Sequence, residues 1–524
     1  MTNNHAVPSR GVPTRLLSGH HVFEHPEPAE LVKVFPSFKS AVTEGRSYCA
    51  VPATLDHSRV LTNMGYHVSS PIREDYRWSG SKTPRWYQVE TSEFFTLYPR
   101  SYCHSAPRVG KTLSALWAAD YLMQAGLINR CLVVAPLSTL VDVWERELFF
   151  EFPHRTNVVL HGSKEMRHKR LDIPTDFYIL NHDGPKVMLE ALLRRPDIDC
   201  LIIDEIAVFR NANTARAKIM RKLCAERPYI WGLTGTPTPN QPTDAYGQMK
   251  LVTPENYPYS FTRFKDLTMQ KVSTWMWIPR RGCEKIVADT LRPSIRFERE
   301  VSTDMEPCLI DRKAELSEEQ KRHYKKMKQE AVLELEDKQV TAVNSAVLAG
   351  KIAQIACGIV YDENHEVVKF DFGPRLEVLK ELIAENDEKV IVLVPFKGAL
   401  HMLKDELKKD WSVAVVEGDV TARNRAEIFQ QFRSNKDPHI ILAHPQVMAH
   451  GLDLTAATLT IWYAPFSKNE IYQQANARMD GSKQQVKIDI ARIYATAEEK
   501  ALYASLEGKG RFQDVILGLL KKPM

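Results

Sequence analysis

The strongest constraint on the fold of this 524-residue chain is two series of short, uninterrupted apolar runs. Such runs do not alternate apolar with polar residues, as a strand with one exposed face would. They are typical of strands covered on both faces, as in a parallel sheet flanked by helices. The runs occupy residues 131–135, 177–180, 200–204 and 229–234 in the first series, and 390–394, 413–416, 439–443, 459–463 and 488–494 in the second. The sequence therefore predicts an α/β protein with two parallel-sheet lobes.

The residues outside these two series differ in composition. Residues 256–370 combine a Trp- and Arg-rich piece with a strongly charged helical stretch, whereas residues 1–80 are rich in Pro, Ser and His and are expected to be irregular. Two α/β lobes joined by a helical connector account for this pattern most simply. We therefore predict an N-terminal accessory region (1–80), a first lobe (81–255), a helical, charged connector (256–370) and a second lobe (371–524).

Charge and cysteine usage set broad limits on function. The formal net charge of +5 permits binding to nucleic acid without requiring it. The eight cysteines form no C-x-x-C pair, so a structural zinc site is not expected and the thiols are predicted to be reduced. The N-terminus lacks the apolar core of a secretory signal, and the apolar runs are too short to cross a bilayer. The sequence thus predicts a cytoplasmic protein.

A phosphate-binding loop is predicted at residues 105–112, which read S-A-P-R-V-G-K-T. The P-loop pattern G-x-x-x-x-G-K-[ST] is met except at its first glycine, where Ser105 stands. Backbone amides of such a loop cradle phosphates, the lysine supplies charge and the final hydroxyl binds Mg²⁺. Taken alone, the motif fits a glycine turn that opens an amphipathic helix equally well. The residues predicted to hold the nucleotide are Arg108, Val109, Gly110, Lys111 and Thr112.

Two further motifs follow at predicted strand ends. Asp204 and Glu205 end the run 200–203, at the sheet edge where α/β proteins bind ligands. There Asp204 can hold Mg²⁺, and Glu205 can orient and deprotonate an attacking water. Residues 232–240, G-L-T-G-T-P-T-P-N, can couple phosphate loss to movement between the lobes, although a plain turn explains the same residues. The coupling residues are Thr234, Gly235 and Thr236.

In this order, the motifs resemble those of superfamily 2 helicases and translocases, and more closely their Swi/Snf branch of DNA-dependent ATPases. The resemblance covers residues 84–505 and is closest to compact viral or bacterial members and annealing helicases. It implies two RecA-like lobes that use ATP and Mg²⁺. Further segments carry it at PRWYQ (84–88), LVVAPLSTLVDVWERE (132–147), AHGLDL (449–454) and YQQANAR (472–478). By resemblance, Gln88 contacts adenine, Asp453 binds nucleotide, and Gln474 and Arg478 are catalytic.

One position departs from the family pattern. The last motif of the family carries two arginines three residues apart, the second of which acts as an arginine finger; Gly481 stands at that second position. An arginine finger can supply several orders of magnitude in rate. Either Arg478 serves alone, or Lys483 substitutes, or turnover is slow, and the sequence leaves these alternatives open.

The resemblance also implies the partner, which is double-stranded or branched DNA. Candidate contacts in the connector are Arg280, Arg281 and Trp277, because arginines can bind phosphates and aromatic rings can stack on bases. A solvated basic face and buried packing explain the same residues. Two other functions remain open: a nucleotide-gated DNA-binding protein with weak turnover, and an RNA helicase. The second is disfavoured by Trp144, Glu147 and the form of residues 233–240.

Overall fold

The computed structural model of the chain describes residues 15–17, 19–25, 27–78, 80–273, 277–298, 308–337, 350–362, 366–448, 456–477 and 489–520. Within these ranges a small antiparallel sheet precedes two large parallel sheets. No helix in the described part of the chain combines the length and the apolar composition needed to cross a bilayer. The cysteines are unpaired thiols, and all but Cys308 are buried.

The N-terminal region contains a four-stranded antiparallel sheet in the order β1-β2-β4-β3. Its elements are β1 (Arg15–Leu17), β2 (His20–Glu24), β3 (Lys39–Thr43), β4 (Arg46–Pro52) and the helix Leu55–Asn63. The expectation that this region is irregular is therefore wrong. Buried and less buried positions alternate along β2, but His21 takes one of the buried positions and bonds Ser58 at 2.8 Å. Because a polar residue lies on the inner face, the sequence of β2 lacks the apolar and polar alternation that would indicate a strand.

The first large sheet has seven parallel strands in the order β13-β5-β10-β9-β6-β8-β7, with a separate hairpin of β11 and β12. The strands are β5 (Arg100–Cys103), β6 (Arg130–Ala135), β7 (Asn157–Val159), β8 (Phe177–Asn181), β9 (Ile198–Asp204), β10 (Tyr229–Leu233), β11 (Met269–Lys271), β12 (Trp277–Pro279) and β13 (Ser294–Ile295). The helices are Ile72–Asp75, Trp86–Leu97, Lys111–Gln124, Arg146–Glu151, Lys164–Leu171, Pro185–Leu193, Ala215–Ala225, Asp244–Val252, Phe261–Thr268 and Cys283–Thr290. Along β6, Val133 packs into one core and Val134 into the other, so the strand is covered on both faces.

The second large sheet has six parallel strands in the order β14-β21-β20-β17-β19-β18, and β15 and β16 form a hairpin. The strands are β14 (Cys308–Lys313), β15 (Ile359–Tyr361), β16 (Val367–Lys369), β17 (Lys389–Leu393), β18 (Val413–Val416), β19 (Ile440–Ala443), β20 (Ala457–Trp462) and β21 (Asp489–Tyr494). The helices are Glu318–Asp337, Gly373–Ala384, Lys397–Leu407, Ala422–Ser434, Pro445–Met448, Asn469–Ala477 and Ala497–Leu520. The predicted α/β class with two parallel-sheet lobes is confirmed.

Both large sheets extend into residues that the sequence assigns to the connector. The edge strand β13 joins the first sheet beside β5, and β14 joins the second beside β21. The residues of β14 read CLIDRK and are mostly exposed, so they lack the apolar run that marks a central strand. Edge strands of this kind escape a prediction based on buried runs.

A buried ion pair ties the second lobe together. The side chains of Arg375 and Glu499 are 1% and 2% exposed, and an Arg375 Nη2 atom lies 2.9 Å from Glu499 Oε1. The guanidinium also donates to the backbone carbonyls of Ala356, Tyr463 and Ile493. These hydrogen bonds and the ion pair compensate for the hydration that the Arg375 guanidinium loses on burial.

Replacing Arg375 with methionine is expected to lower the free energy of unfolding of the second lobe by about 3–5 kcal/mol, because Glu499 would remain buried without its partner. Urea unfolding measures this change. Lys380→Met, which breaks the half-exposed Lys380–Asp410 pair at 2.6 Å, is the matched control on the same helix. It is expected to cost about 1 kcal/mol or less. Equal losses in the two variants would contradict the structural role of the buried pair.

Candidate nucleotide-binding site

The predicted phosphate loop connects β5 to the helix Lys111–Gln124 at the carboxyl edge of the first sheet. Gly110 caps this helix with φ of +86°, in the left-handed region that favours glycine. A Cβ atom at Gly110 would lie 2.1 Å from Nε2 of Gln88. Glycine is therefore needed both for the backbone conformation and for the approach of Gln88, which brings the predicted adenine contact against the loop.

The Lys111 side chain folds back onto the loop. Its Nζ atom donates to the backbone carbonyls of Ser105 at 2.8 Å and Ala106 at 3.1 Å. Both acceptors are neutral carbonyls. Phosphate oxygens in the loop would offer the ammonium stronger, charge-assisted hydrogen bonds.

The structure explains the missing first glycine of the loop. The Ser105 hydroxyl accepts a hydrogen bond from the backbone N–H of Phe297 at 3.0 Å, and the N–H of Ala106 donates to the carbonyl of Phe297 at 3.0 Å. The N–H of His104 donates to the carbonyl of Ile295 at 2.9 Å. The side chain of Ser105 thus fastens the loop to the segment that contains β13. A glycine could not make the first of these bonds.

A buried histidine precedes the loop. His104 is fully buried and stacks on Tyr102, with 5.4 Å between the ring centroids. Burial lowers the pKa of His104 to about 3, and the charge of Arg296 acts in the same direction. The imidazole is therefore neutral at physiological pH and adds no positive charge beside the loop.

Asp204 and Glu205 lie at the end of β9, where the side chains of two other residues contact Asp204. Trp144 donates its indole N–H to Asp204 Oδ2 at 3.1 Å, and Nε2 of His182 lies 2.8 Å from the backbone carbonyl of Asp204. Neither partner is among the predicted site residues. His182 follows the end of β8, so its position at the carboxyl end of another parallel strand of the same sheet is the signal that could have identified it.

Glu205 is joined to the predicted coupling segment. The Thr234 hydroxyl donates to Glu205 Oε2 at 3.2 Å and accepts a hydrogen bond from the N–H of Thr236 at 3.1 Å. Glu205 has φ of +49°, which is uncommon for a residue with a side chain. One buried hydroxyl therefore links the acid to the loop that follows β10.

Both lobes contribute to one cavity of about 230 Å³. The predicted residues that line it are Arg108, Gly110, Lys111, Thr112, Asp204, Glu205, Gly235, Thr236 and Gln474. Pro107, Pro136, Thr139 and Val143 complete the lining. Among the described lining residues, Gln474 is the one from the second lobe. Val109 and Thr234 do not line the cavity and are buried.

Of the other predicted residues, some lie outside the described residues and some lie in the connector. Arg478 and Asp453 lie outside the described residues, as do Gly481 and Lys483. In the connector, the Nε atom of Arg280 donates to the carbonyls of Asp266 at 2.7 Å and Met269 at 2.9 Å.

Trp277 lies beneath the ammonium group of Lys265, whose Nζ is 3.8 Å from the ring centroid. Arg281 is exposed. Arg280 and Trp277 therefore contribute to the packing of the hairpin of β11 and β12, and their predicted contact with nucleic acid stays a prediction.

Two family models match the chain. The model of the SNF2-related domain matches residues 106–357, and that of the helicase conserved C-terminal domain matches residues 374–480. An ATP-dependent helicase of Mycoplasma genitalium is 25% identical over 410 residues, which cover 75% of this chain and 38% of that protein. Putative protein p41 of Acyrthosiphon pisum secondary endosymbiont phage 1 is 24% identical, over 77% of this chain and 89% of that protein.

More distant similarities are of the same kind. The SWI/SNF-related matrix-associated actin-dependent regulator of chromatin subfamily A-like protein 1 of Xenopus tropicalis is 23% identical over 74% of this chain and 40% of that protein. The chain thus spans about two fifths of the length of two of these relatives. The Sulfolobus solfataricus SWI2/SNF2 ATPase core in complex with dsDNA covers 85% of this chain and 95% of its own, with a TM-score of 0.39 and 19% identity. From the two matched domains and these relatives, the chain belongs to the SNF2-related helicase family.

Proposed function

We propose that this protein hydrolyses ATP and uses the released energy to track along or remodel double-stranded or branched DNA. The observation that carries the proposal is the cavity shared by the two lobes, in which Lys111, Asp204 and Glu205 of the first lobe meet Gln474 of the second. A ligand bound between two lobes can favour one arrangement of the lobes over another. Binding and hydrolysis in this cavity would therefore act on the spacing of the lobes.

The phosphates of ATP fit the loop at residues 105–112. Backbone amides of the loop and the start of the helix Lys111–Gln124 supply donors and a favourable dipole. The Lys111 ammonium exchanges its two carbonyl partners for phosphate oxygens. Gln88, which lies against Gly110, contacts the adenine base.

The donor set at the cavity fits Mg²⁺. The Thr112 hydroxyl and the Asp204 carboxylate are oxygen ligands of the type that Mg²⁺ prefers, and both residues line the cavity. When bound, the ion neutralises charge on the transferred phosphoryl group. The Trp144 indole N–H, at 3.1 Å, holds Asp204 in orientation for this role.

Glu205 orients and deprotonates the water that attacks the terminal phosphate. Its bond with Thr234 transmits the loss of that phosphate to Gly235 and Thr236, on the wall of the same cavity. From the second lobe, Gln474 and Arg478 stabilise the charge that develops in the transition state, and Asp453 contributes to nucleotide binding.

The DNA partner is held through its phosphates and without reading of base sequence. A formal net charge of +5 favours association with a polyanion. Arg281 is exposed beside the hairpin of β11 and β12 and contacts the phosphate backbone of the DNA. Arg280 and Trp277 stabilise the hairpin next to which Arg281 lies. Contacts of this kind suit a motor that must pass over any sequence.

Steady-state phosphate release with duplex DNA, branched DNA, single-stranded DNA and RNA tests this function. We expect duplex or branched DNA to give the largest stimulation. ATP binding without stimulated hydrolysis would favour a second candidate, a nucleotide-gated DNA-binding protein, to which Gly481 in place of the second arginine points. Stimulation by RNA alone would overturn the DNA assignment.

A further inference from the structure

The helix that carries Gln474 is attached to the first lobe at its other end. This helix, Asn469–Ala477, begins with two polar residues whose side chains reach across to the first lobe. Asn469 is fully buried, and its Nδ2 atom donates to the backbone carbonyl of Pro239 at 2.9 Å. Glu470 pairs with Arg210, with 3.1 Å between Oε2 and Nη1.

Both attachment points are close in sequence to the proposed chemistry. Arg210 directly follows the short helix Ile206–Phe209, which itself follows Glu205. Pro239 belongs to the same loop as Gly235 and Thr236, on the wall of the cavity. The two contacts therefore connect the Gln474 helix to the segments that carry the acid and the coupling residues.

The helix Asp244–Val252 of the first lobe contacts the loop that contains Pro239 and the backbone of Arg210. Asp244, at the start of the helix Asp244–Val252, accepts hydrogen bonds from the N–H groups of Asn240 at 2.8 Å and Gln241 at 3.2 Å. A Cβ atom on Gly247 of this helix would lie 2.3 Å from the carbonyl oxygen of Arg210, so the helix packs directly on that backbone. The loop and Arg210 are thus fixed relative to each other.

The Arg210–Glu470 pair is partly shielded from solvent. The side chains are 33% and 18% exposed. Burial raises the pKa of Glu470, and the charge of Arg210 opposes this by favouring the carboxylate. A half-buried pair between two lobes is screened less by solvent and salt than an exposed one.

The cavity end of the same helix has an unused acceptor. Gln474 is 5% exposed, and within the described residues its Oε1 atom has no hydrogen-bond partner. A buried amide oxygen without a partner is costly, so it is ready to accept a hydrogen bond from a group in the cavity. Whether Gln474 Oε1 reaches such a group depends on the position of the helix Asn469–Ala477 relative to the first lobe.

We propose that Asn469, Glu470 and Arg210 are positioning residues for ATP hydrolysis, which dock the Gln474 helix on the first lobe and so hold Gln474 in the ATP cavity. This inference rests on the proposed function. The contacts act through Gln474 and do not touch the nucleotide. Their loss should therefore lower kcat and leave the binding of nucleotide by the first lobe nearly unchanged.

Charge reversal tests the proposal. Glu470→Arg and Arg210→Glu each place like charges together, and each is expected to lower the DNA-stimulated kcat by about tenfold, with less than about a threefold change in nucleotide Kd. The double variant restores an opposite pair and is expected to recover most of the rate. Asn469→Asp keeps the size of the side chain but removes the donor to Pro239, and it should also lower kcat.

Arg216→Glu is the control, because Arg216 pairs with Asp183 at 2.7 Å within the first lobe and its side chain is 31% exposed, close to the 33% of Arg210. Its kcat should equal that of the wild type. Wild-type kcat in Glu470→Arg, or a double variant no faster than the slower single variant, would overturn the positioning role. Absence of hydrolysis in the wild type would instead overturn the proposed function, so the two failures are distinct.

Discussion

Glu205→Gln is expected to lower steady-state phosphate release by at least about 100-fold while nucleotide binding persists, because the amide cannot accept the proton of the attacking water. Glutamine keeps the length of the side chain and an oxygen for the Thr234 hydroxyl, which lies 3.2 Å from Glu205 Oε2. The loop after β10 should therefore keep its place. Phosphate release under saturating ATP and duplex DNA measures the rate, and titration with a fluorescent nucleotide measures binding.

Glu226→Gln is the control for this variant. Glu226 is an exposed glutamate at the end of the helix Ala215–Ala225, in the same lobe but not in the lining of the cavity. Its substitution should leave both the rate and the affinity unchanged. Turnover by Glu205→Gln at the wild-type rate would remove Glu205 from its role as the base.

Lys111→Ala is expected to weaken nucleotide binding by about tenfold or more, since a hydrogen bond to a charged group contributes about 1.5–3 kcal/mol. Hydrolysis should fall further, by about 100-fold or more, because the lysine also stabilises charge in the transition state. The ammonium donates to the loop carbonyls of Ser105 at 2.8 Å and Ala106 at 3.1 Å. The free energy of unfolding should change by about 1 kcal/mol.

The matched control is Lys164→Ala, which removes an exposed lysine from the first turn of the helix Lys164–Leu171. It should bind nucleotide as the wild type does. If Lys111→Ala bound nucleotide with unchanged affinity, the loop at residues 105–112 would not be the phosphate site.

The central strands of both sheets could be predicted because burial on both faces leaves an uninterrupted apolar run. The run at residues 200–204 lies within β9, and that at residues 413–416 matches β18. In the two large sheets, the strands that escaped prediction are short or lie at edges, as β7, β13 and β14 do. There one face or one side meets solvent, so charged residues are tolerated and the pattern is lost.

Nine of the residues that line the cavity are among those predicted from motif order, but the contacts that hold them could not be predicted. Ser105 bonds Phe297 across 192 positions, and Trp144 bonds Asp204 across 60 positions. Such pairs depend on how the chain folds in three dimensions, which local propensity and spacing do not encode. The inter-lobe bond of Asn469 to Pro239, across 230 positions, is a further example.

ATP-dependent displacement of a third strand from a duplex tests the proposed motor most directly, because displacement requires movement along the DNA. The wild-type protein is predicted to displace the third strand with ATP, and Glu205→Gln is predicted to bind ATP without displacing it. Duplex-stimulated hydrolysis by the wild type with no displacement on any length of duplex would contradict movement along DNA.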